Sequence, residues 1–342
     1  MSSAQSPGDP SGADLVAVYI VTYRRHEMLR RAIASVLAQT HTMLLVKVVN
    51  DDPADGEVGD IIESFADPRL SLFLPLTKRG PVSSFNLVFR EAEARYAALL
   101  EDDNWWEPTF LAAQIAVLKH FPDAPLVVGN ERIWRELPGG RWHDTETTIW
   151  PFYDVRLHSF TLTEICGSAK ICNSSMLVRV ERRSSLLTPE TIPVDVTEHF
   201  RERLLPRSVP LNGAPLVNYA ETLSSARDVG DRWGMYQALL IGSVFAALRS
   251  KTSRRRLAGA LWNGVSPISP RAVALVEAGL ANREAHALLW RAPVVGLMRA
   301  CLSFGRRPTR WLRLLQSRRR LAQHFQFLAE APLTRNLAGD GQ

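Results

Sequence analysis

Between residues 15 and 129 the chain alternates short apolar runs with stretches whose apolar positions recur every three or four residues. LVAVYIV (15–21) is almost wholly apolar, which predicts a strand buried on both faces and so a parallel sheet. HEMLRRAIASVLA (26–38) sets Leu29, Ile33, Val36 and Leu37 at helical spacing, and LLVKVV (44–49) reads as a second strand, completing a βαβ unit. The alternation continues with a helix near 57–66, a strand at 69–74, a helix from Ser83 to Arg95, a strand at 97–101, a helix after Pro108 and a strand at 125–129. Strands alternating with helices predict a doubly wound α/β sheet with right-handed crossovers.

Beyond residue 130 the pattern loosens into a stretch with Trp134, Trp142, Trp150 and Pro151, followed by a strand at 174–180 and a helix near 197–205. From Asp231 the chain reads as helices separated by Pro267, Pro270, Pro293, Gly305 and Pro308. The predicted organisation is a disordered leader (1–12), an α/β domain (13–228) with halves at 13–130 and 131–228, a basic helical region (229–330) and a flexible tail (331–342).

Composition changes this picture in three places. The 46% apolar and 22% charged content is that of a folded protein, and 342 residues suffice for one large core with an appendage. The first dozen residues carry neither a basic start nor an apolar stretch, which predicts a cytoplasmic chain without a secretory signal. The apolar runs at 236–248 and 286–298 fall short of the roughly 20 residues of a spanning helix, and Arg291 interrupts the second. Cys166, Cys172 and Cys301 have no metal-site spacing and cannot all pair, so they read as small hydrophobes.

In open α/β sheets ligands bind beyond the carboxyl ends of the strands. The residues there are Thr22-Tyr23 after the first strand, Asn50-Asp51-Asp52 after the second and Glu101-Asp102-Asp103-Asn104 after the fourth. Carboxylates converging on one rim repel unless a cation neutralises them, and an all-oxygen set favours Mg²⁺ or Mn²⁺, which holds substrate phosphates at its open positions. Acidic pairs after strands also serve as helix caps and solvated turns.

At these residues the sequence resembles the family 2 glycosyltransferases, inverting enzymes of the GT-A fold, over about residues 15–205. VAVYIVTYRRHEMLRRAIASVLAQTHTMLLVKVVNDD matches that family's opening without gaps. The resemblance implies a nucleotide diphosphate-sugar donor, with Thr22 and Tyr23 flanking the base, Asp51 accepting from the base imide (which suits uracil or thymine) and Asp52 near the ribose. Gly80 and Asn86 resemble the family's Gly-x5-Asn loop, with Phe85 where an Arg is common and Arg79 a substitute charge. LLEDDNWWEP is similar to the metal-binding acidic motif, which implies metal coordination by Asp103 and donor contact by Asp102, with Trp105 and Trp106 as sugar-lining candidates. IPVDVTEHFRERLL resembles the base-bearing helix, with Asp195 as leading base and Glu198 as runner-up; Val194 replaces the usual Glu. His199, Asn173 and Ser174 are weaker acceptor-site candidates. The implied acceptor is a glycan, a lipid-linked molecule or a small molecule, in cell-surface polysaccharide or glycolipid synthesis.

Two other classes remain at this point. A sugar nucleotidyltransferase usually carries a Gly-rich, Lys-containing loop after its first strand, where this chain has Thr22-Tyr23-Arg24-Arg25. A carbohydrate-binding scaffold of the same fold would lack turnover.

The charge is uneven: residues 249–328 hold 16 Lys and Arg against Glu277 and Glu284 alone. Trp290, Leu297, Trp311, Leu315, Phe325 and Leu328 interleave with the Arg clusters at 254–256, 306–307 and 318–320. Basic amphipathic helices suit the anionic cytoplasmic face of a membrane. The same faces can instead pack on the α/β domain or on a second copy in a homo-oligomer. Nucleic acid would use the charge too, but no recognised binding module accompanies it.

Overall fold

A computed structural model describes residues 14–223, 231–306 and 319–339, together with 309, 312, 314 and 316. Arg307, Trp311, Leu315 and Arg318 of the basic tail, and the leader at 1–12, lie outside the described residues.

The α/β alternation is present as read. Strand β1 (Val16–Thr22) is buried at all seven positions because β2 (Leu44–Asn50) and β4 (Tyr96–Glu101) pair with it in parallel on its two edges. Strand β3 (Leu70–Phe73) extends the sheet in parallel beyond β2. Helix α1 (His26–Leu37) turns Leu29, Ala32, Ile33 and Val36 onto the sheet, and α2 (Glu57–Phe65) contributes Val58 and Ile61 to the same core. Helix α3 (Pro81–Glu91) starts on Pro81, whose fixed φ suits a first helical position, after Gly80 at φ 85°, a left-handed conformation that a side chain would strain.

The second half of the sheet is richer than the loosened pattern beyond residue 130 suggests. After β5 (Trp105–Trp106) and α4 (Phe110–His120), β6 (Leu126–Leu137) runs eight residues past the predicted strand end at 129. It folds back as a hairpin with β7 (Arg141–Thr148) through Gly139 and Gly140, both at positive φ. Strand β8 (Val155–Ser159) follows, and β9 (Met176–Arg179) lies antiparallel between β4 and β6. Strand β10 (Ser208–Glu221), which the sequence reading did not call, pairs in parallel with β6. The sheet order is β3-β2-β1-β4-β9-β6-β10-β5, with β7 on β6 and β8 on β10, a mostly parallel half of the kind the GT-A resemblance implies joined to a mixed half.

By chain contacts there are two compact units. The first holds the sheet and comprises the described residues up to His158, with 171–194 and 209–223. The second comprises 159–170, 195–208 and the described residues from Asp231. It contains α5 (Leu162–Ile165), α6 (Thr197–Arg203), α7 (Asp231–Ala247), α8 (Lys251–Asn263), α9 (Pro270–Ala281), α10 (Ala287–Trp290), α11 (Val294–Arg306), α12 (Ala322–Glu330) and α13 (Pro332–Gly339).

The last helix corrects the flexible-tail expectation: Leu333, Thr334 and Leu337 are buried. Arg203, 1% exposed, fixes it by donating to Thr334 Oγ1 (3.0 Å), and it also donates to the carbonyls of Ile165 (2.7 Å) and Leu240 (3.0 Å). A buried guanidinium stripped of partners would cost several kcal/mol on the order of any unpaired buried ion, so these three acceptors tie α5, α7 and α13 together. No described helix is long and apolar enough to cross a membrane.

Candidate functional site

Because β2, β1 and β4 are parallel neighbours, with Thr22 opposite Asn50 and Val21 opposite Glu101, the residues that follow them meet at one end of the sheet. Arg24 takes φ 57° there, left-handed backbone that costs a non-glycine residue roughly 1–2 kcal/mol and turns the chain away from the strand axis. Thr22 Oγ1 donates to Asp102 Oδ2 at 2.8 Å, and the Tyr23 backbone N–H approaches the same oxygen at 3.4 Å. Arg25 Nη1 reaches both Asp103 Oδ2 (2.7 Å) and Asp102 Oδ1 (3.3 Å).

One guanidinium thus faces two adjacent carboxylates. Burial pushes both acids above the ordinary carboxylate range, with each other's charge adding for Asp102 and Arg25 opposing. An all-oxygen pair short of positive charge suits a hard divalent ion such as Mg²⁺ or Mn²⁺. Asp103, whose side chain is 19% exposed against 7% for Asp102, is the one with the more open access.

Asp51 is built differently. Its Oδ1 accepts from the backbone N–H of Arg79 (3.0 Å) and Gly80 (3.1 Å) and from Ser84 Oγ (2.9 Å), which docks the start of α3 against β2. Its Oδ2 is buried and has no hydrogen-bond partner. A buried carboxylate oxygen left open is costly unless something else satisfies it. Beside it Tyr23 is 39% exposed, with Lys78 Nζ 3.8 Å and the Arg24 guanidinium carbon 5.3 Å from the ring centroid. Asp52 pairs with Arg24, which holds its carboxyl below the usual range, and accepts from the Ala54 N–H at 3.2 Å.

Other expected residues take supporting parts. Arg79 contributes its backbone N–H while its side chain is exposed. Asn86 is fully buried and exchanges hydrogen bonds with Thr188, so it holds the α3 segment to the 188 loop. Trp106 corrects the sugar-lining reading: it is 2% exposed, stacks on Phe110 and donates to the Ser174 carbonyl, because its position on β5 points inward. Asn173 and Ser174 are buried also: Asn173 Nδ2 donates to Glu101 Oε1, and Ser174 Oγ accepts from Asn104 Nδ2 and from the Glu101 N–H. They brace the acidic segment from behind.

Trp105 stays half-buried, clustered with Trp134 and Trp142. The Arg31 guanidinium lies between Trp105 and Trp142, 3.8 and 4.2 Å from their ring centroids, and donates to the Asp103 carbonyl at 2.7 Å. Burial pulls its pKa down to about 10, against the opposing charge of Asp103. The sequence reading gives Arg25, Arg31 and Lys78 no role at the site. Arg25 had a usable signal, a cation two residues past the Thr22-Tyr23 pair, whereas Arg31 depends on tryptophans more than 70 residues away.

The base candidates belong to the second unit. Asp195 sits in the 3-10 turn Val194–Val196 that leads into α6, half-buried, and Glu198 lies in the first turn of that helix, also half-buried. His199 is buried, and its Nε2 accepts from the Ala169 N–H at 3.1 Å, which engages that nitrogen in packing. Glu202 accepts from the Lys170 N–H at 2.7 Å, and burial pushes its carboxyl up to about 7.

Residues 17–180 match the family described as Glycosyl transferase family 2. The resemblance to glycosyl transferase family 2 is carried by this segment, a little under half of the chain. Two Escherichia coli relatives, named UDP-Glc:alpha-D-GlcNAc-diphosphoundecaprenol beta-1,3-glucosyltransferase WfaP and WfgD, are 26% identical over 102 residues and 28% identical over 104. Each alignment covers 30% of this chain and 40% or 41% of the relative, so the likeness spans about two fifths of those proteins. Among solved structures, S. aureus TarS 1-349 in complex with UDP superposes with a TM-score of 0.56 at 13% identity, covering 90% of this chain and 91% of that one, which shows a shared fold. The acidic rim, the Asp51 lock and α3 all fall inside the matched residues.

Proposed function

We propose that this chain is an inverting, metal-dependent glycosyltransferase that takes a hexose-type sugar from a UDP- or dTDP-sugar and passes it to an acceptor hydroxyl. The observation that carries the reading is the Asp51 carboxylate, locked by three donors on one oxygen and buried without a partner on the other. The imide N–H of uracil or thymine is the matching donor, and guanine and cytosine present different edges. The exposed ring of Tyr23 offers a stacking face for the base, and Asp52 stands beside it for the ribose. That relatives of the family 2 segment carry UDP-Glc in their names, and that the fold recurs in a UDP complex of TarS, is consistent with uracil.

Asp103 would hold Mg²⁺ or Mn²⁺, with Asp102 at the donor side. The bound ion supplies positive charge to the diphosphate. Arg25 keeps the two carboxylates together and Arg31 fixes the Asp103 backbone, so that the rim is pre-shaped before the donor arrives. Asp195, or Glu198 as runner-up, takes the proton from the acceptor hydroxyl as its oxygen bonds to the anomeric carbon. The bond from that carbon to the diphosphate oxygen breaks on the opposite face, with inversion, and the nucleoside diphosphate leaves. A lipid-linked glycan is the favoured acceptor class, with the basic helical unit in peripheral contact with the cytoplasmic face of a membrane.

The test is a calorimetric titration of the whole chain with UDP, dTDP, GDP and CMP, each with Mn²⁺ and with chelator. Selective binding of UDP or dTDP that requires metal is the expected result. Equal binding of all four, or of none, would overturn the reading in favour of a scaffold role.

A further inference from the structure

The second unit contains a surface that its own packing does not explain. Helix α11 packs through Gly296 and Ala300, with the Trp262 ring only 3.3 Å from where a Gly296 side chain would begin. The opposite side of the same helix is apolar and open: Val294 is 71% exposed, Val295 51%, Met298 60% and Leu302 62%. At about 100° per residue these four fall within an arc of about 120°, together with the exposed Cys301. Trp290, at the end of α10, is 88% exposed just before this stripe.

From Ala287 to Arg306 the charged residues all have one sign. Arg291, Arg299 and Arg306 are exposed, with Arg299 and Arg306 along one border of the apolar arc. The acidic residues from Lys251 to Arg306 are Glu277, which is buried, and Glu284, which is bonded to Arg283 at 2.6 Å. An apolar stripe with a tryptophan at one end and arginines at its edge has the charge and shape of an interfacial helix: apolar side chains enter the acyl boundary and guanidinium groups meet phosphate. By contrast Leu328, an obvious choice from the sequence, is fully buried, and Leu297 is half-buried.

We infer that Trp290 and the Val294–Val295–Met298–Leu302 face of α11 dock the protein on an anionic lipid bilayer. The assignment rests on the peripheral reading above and gives it a surface and an orientation, with the axis of α11 lying along the membrane plane. Charge complementarity selects this occupant: residues 287–306 carry Arg291, Arg299 and Arg306 and no acidic residue, so the same face of a second copy offers these arginines no counter-charge, whereas anionic headgroups do.

The full chain is sedimented with phosphatidylcholine vesicles with and without phosphatidylglycerol, and its oligomeric state is measured by light scattering. Binding only to the anionic vesicles is expected. Arg299→Gln and Arg306→Gln each weaken it about fivefold, and Met298→Ser with Leu302→Ser weakens it at least about tenfold. Cys166 and Cys172 are buried, so a polarity-sensitive thiol dye reports from Cys301, and its emission should shift to the blue on vesicle addition. Absence of sedimentation, or equal sedimentation with neutral vesicles, overturns the assignment. So does a dimer that Met298→Ser with Leu302→Ser dissociates, which would hand the face to a second copy. The double variant retains nucleotide binding and melting temperature because its side chains point outward, so its failure is separable from any failure of the donor-site reading.

Discussion

Asn in place of Asp51 isolates the base-reading role. The amide oxygen of Asn can accept from Arg79 N–H, Gly80 N–H and Ser84 Oγ as the carboxylate Oδ1 does, so the α3 dock survives. These bonds lose their charge, and a stability decrease of about 1–2 kcal/mol is expected. The other atom changes from an open acceptor to an NH₂ donor, and that is where the buried, unpartnered Oδ2 now stands. A hydrogen bond to a charged group contributes roughly 1.5–3 kcal/mol, so UDP should bind roughly 10- to 150-fold more weakly. Two donors then face each other across the base edge, whereas N3 of cytosine is an acceptor and CDP should gain affinity relative to UDP. Isothermal titration of both proteins with UDP and CDP at saturating Mn²⁺ reads the effect. Unchanged UDP affinity in a folded Asp51→Asn protein would refute the assignment, as would equal weakening for UDP and CDP.

Asp103→Ala should remove the metal dependence of donor binding while leaving the fold intact, seen as identical titrations with Mn²⁺ and with chelator and an unshifted circular dichroism spectrum. Asp195→Asn should keep donor affinity and stop transfer in a product assay; normal transfer in that variant with loss in Glu198→Gln moves the base to Glu198. Glu202, raised from 4.5 to about 7 by burial, binds its proton more tightly folded than unfolded. Its contribution is therefore complete below pH 4.5 and is lost as pH rises through 7, by about 3 kcal/mol at most. Glu202→Gln keeps the acceptor for the Lys170 N–H and cannot titrate, so urea midpoints at pH 5 and pH 8 should lie closer together than in the unaltered protein; an unchanged gap would sink that account.

The sequence by itself determined the parallel half of the sheet. Val16–Thr22 is apolar at nearly every position, and only a strand covered on both faces stabilises such a run, so β1 had to be central; the helical spacing of Leu29, Ile33 and Val36 then supplied its cover. It also determined that Asp51, Asp102 and Asp103 share a rim, since residues following adjacent parallel strands leave the sheet at one end. Tertiary structure decided what those residues do there. Which oxygen of Asp51 is locked and which is open depends on Arg79, Gly80 and Ser84, some 30 residues along, and the partner of Asp103 depends on a turn of Arg24 into left-handed backbone. Trp105 and Trp106 are chemically alike and adjacent, yet strand alternation sends one to the Arg31 clamp and the other to the core. The strand from Ser208 to Glu221 carries a Pro-Leu-Asn-Gly-Ala-Pro interruption that breaks period-two alternation, so only its pairing with the long β6 reveals it. On the helical side, basic and apolar residues were plain in the sequence. Which apolar face remains open was settled by packing alone, because burial of one side of α11 is a property of its neighbours and not of its own residues.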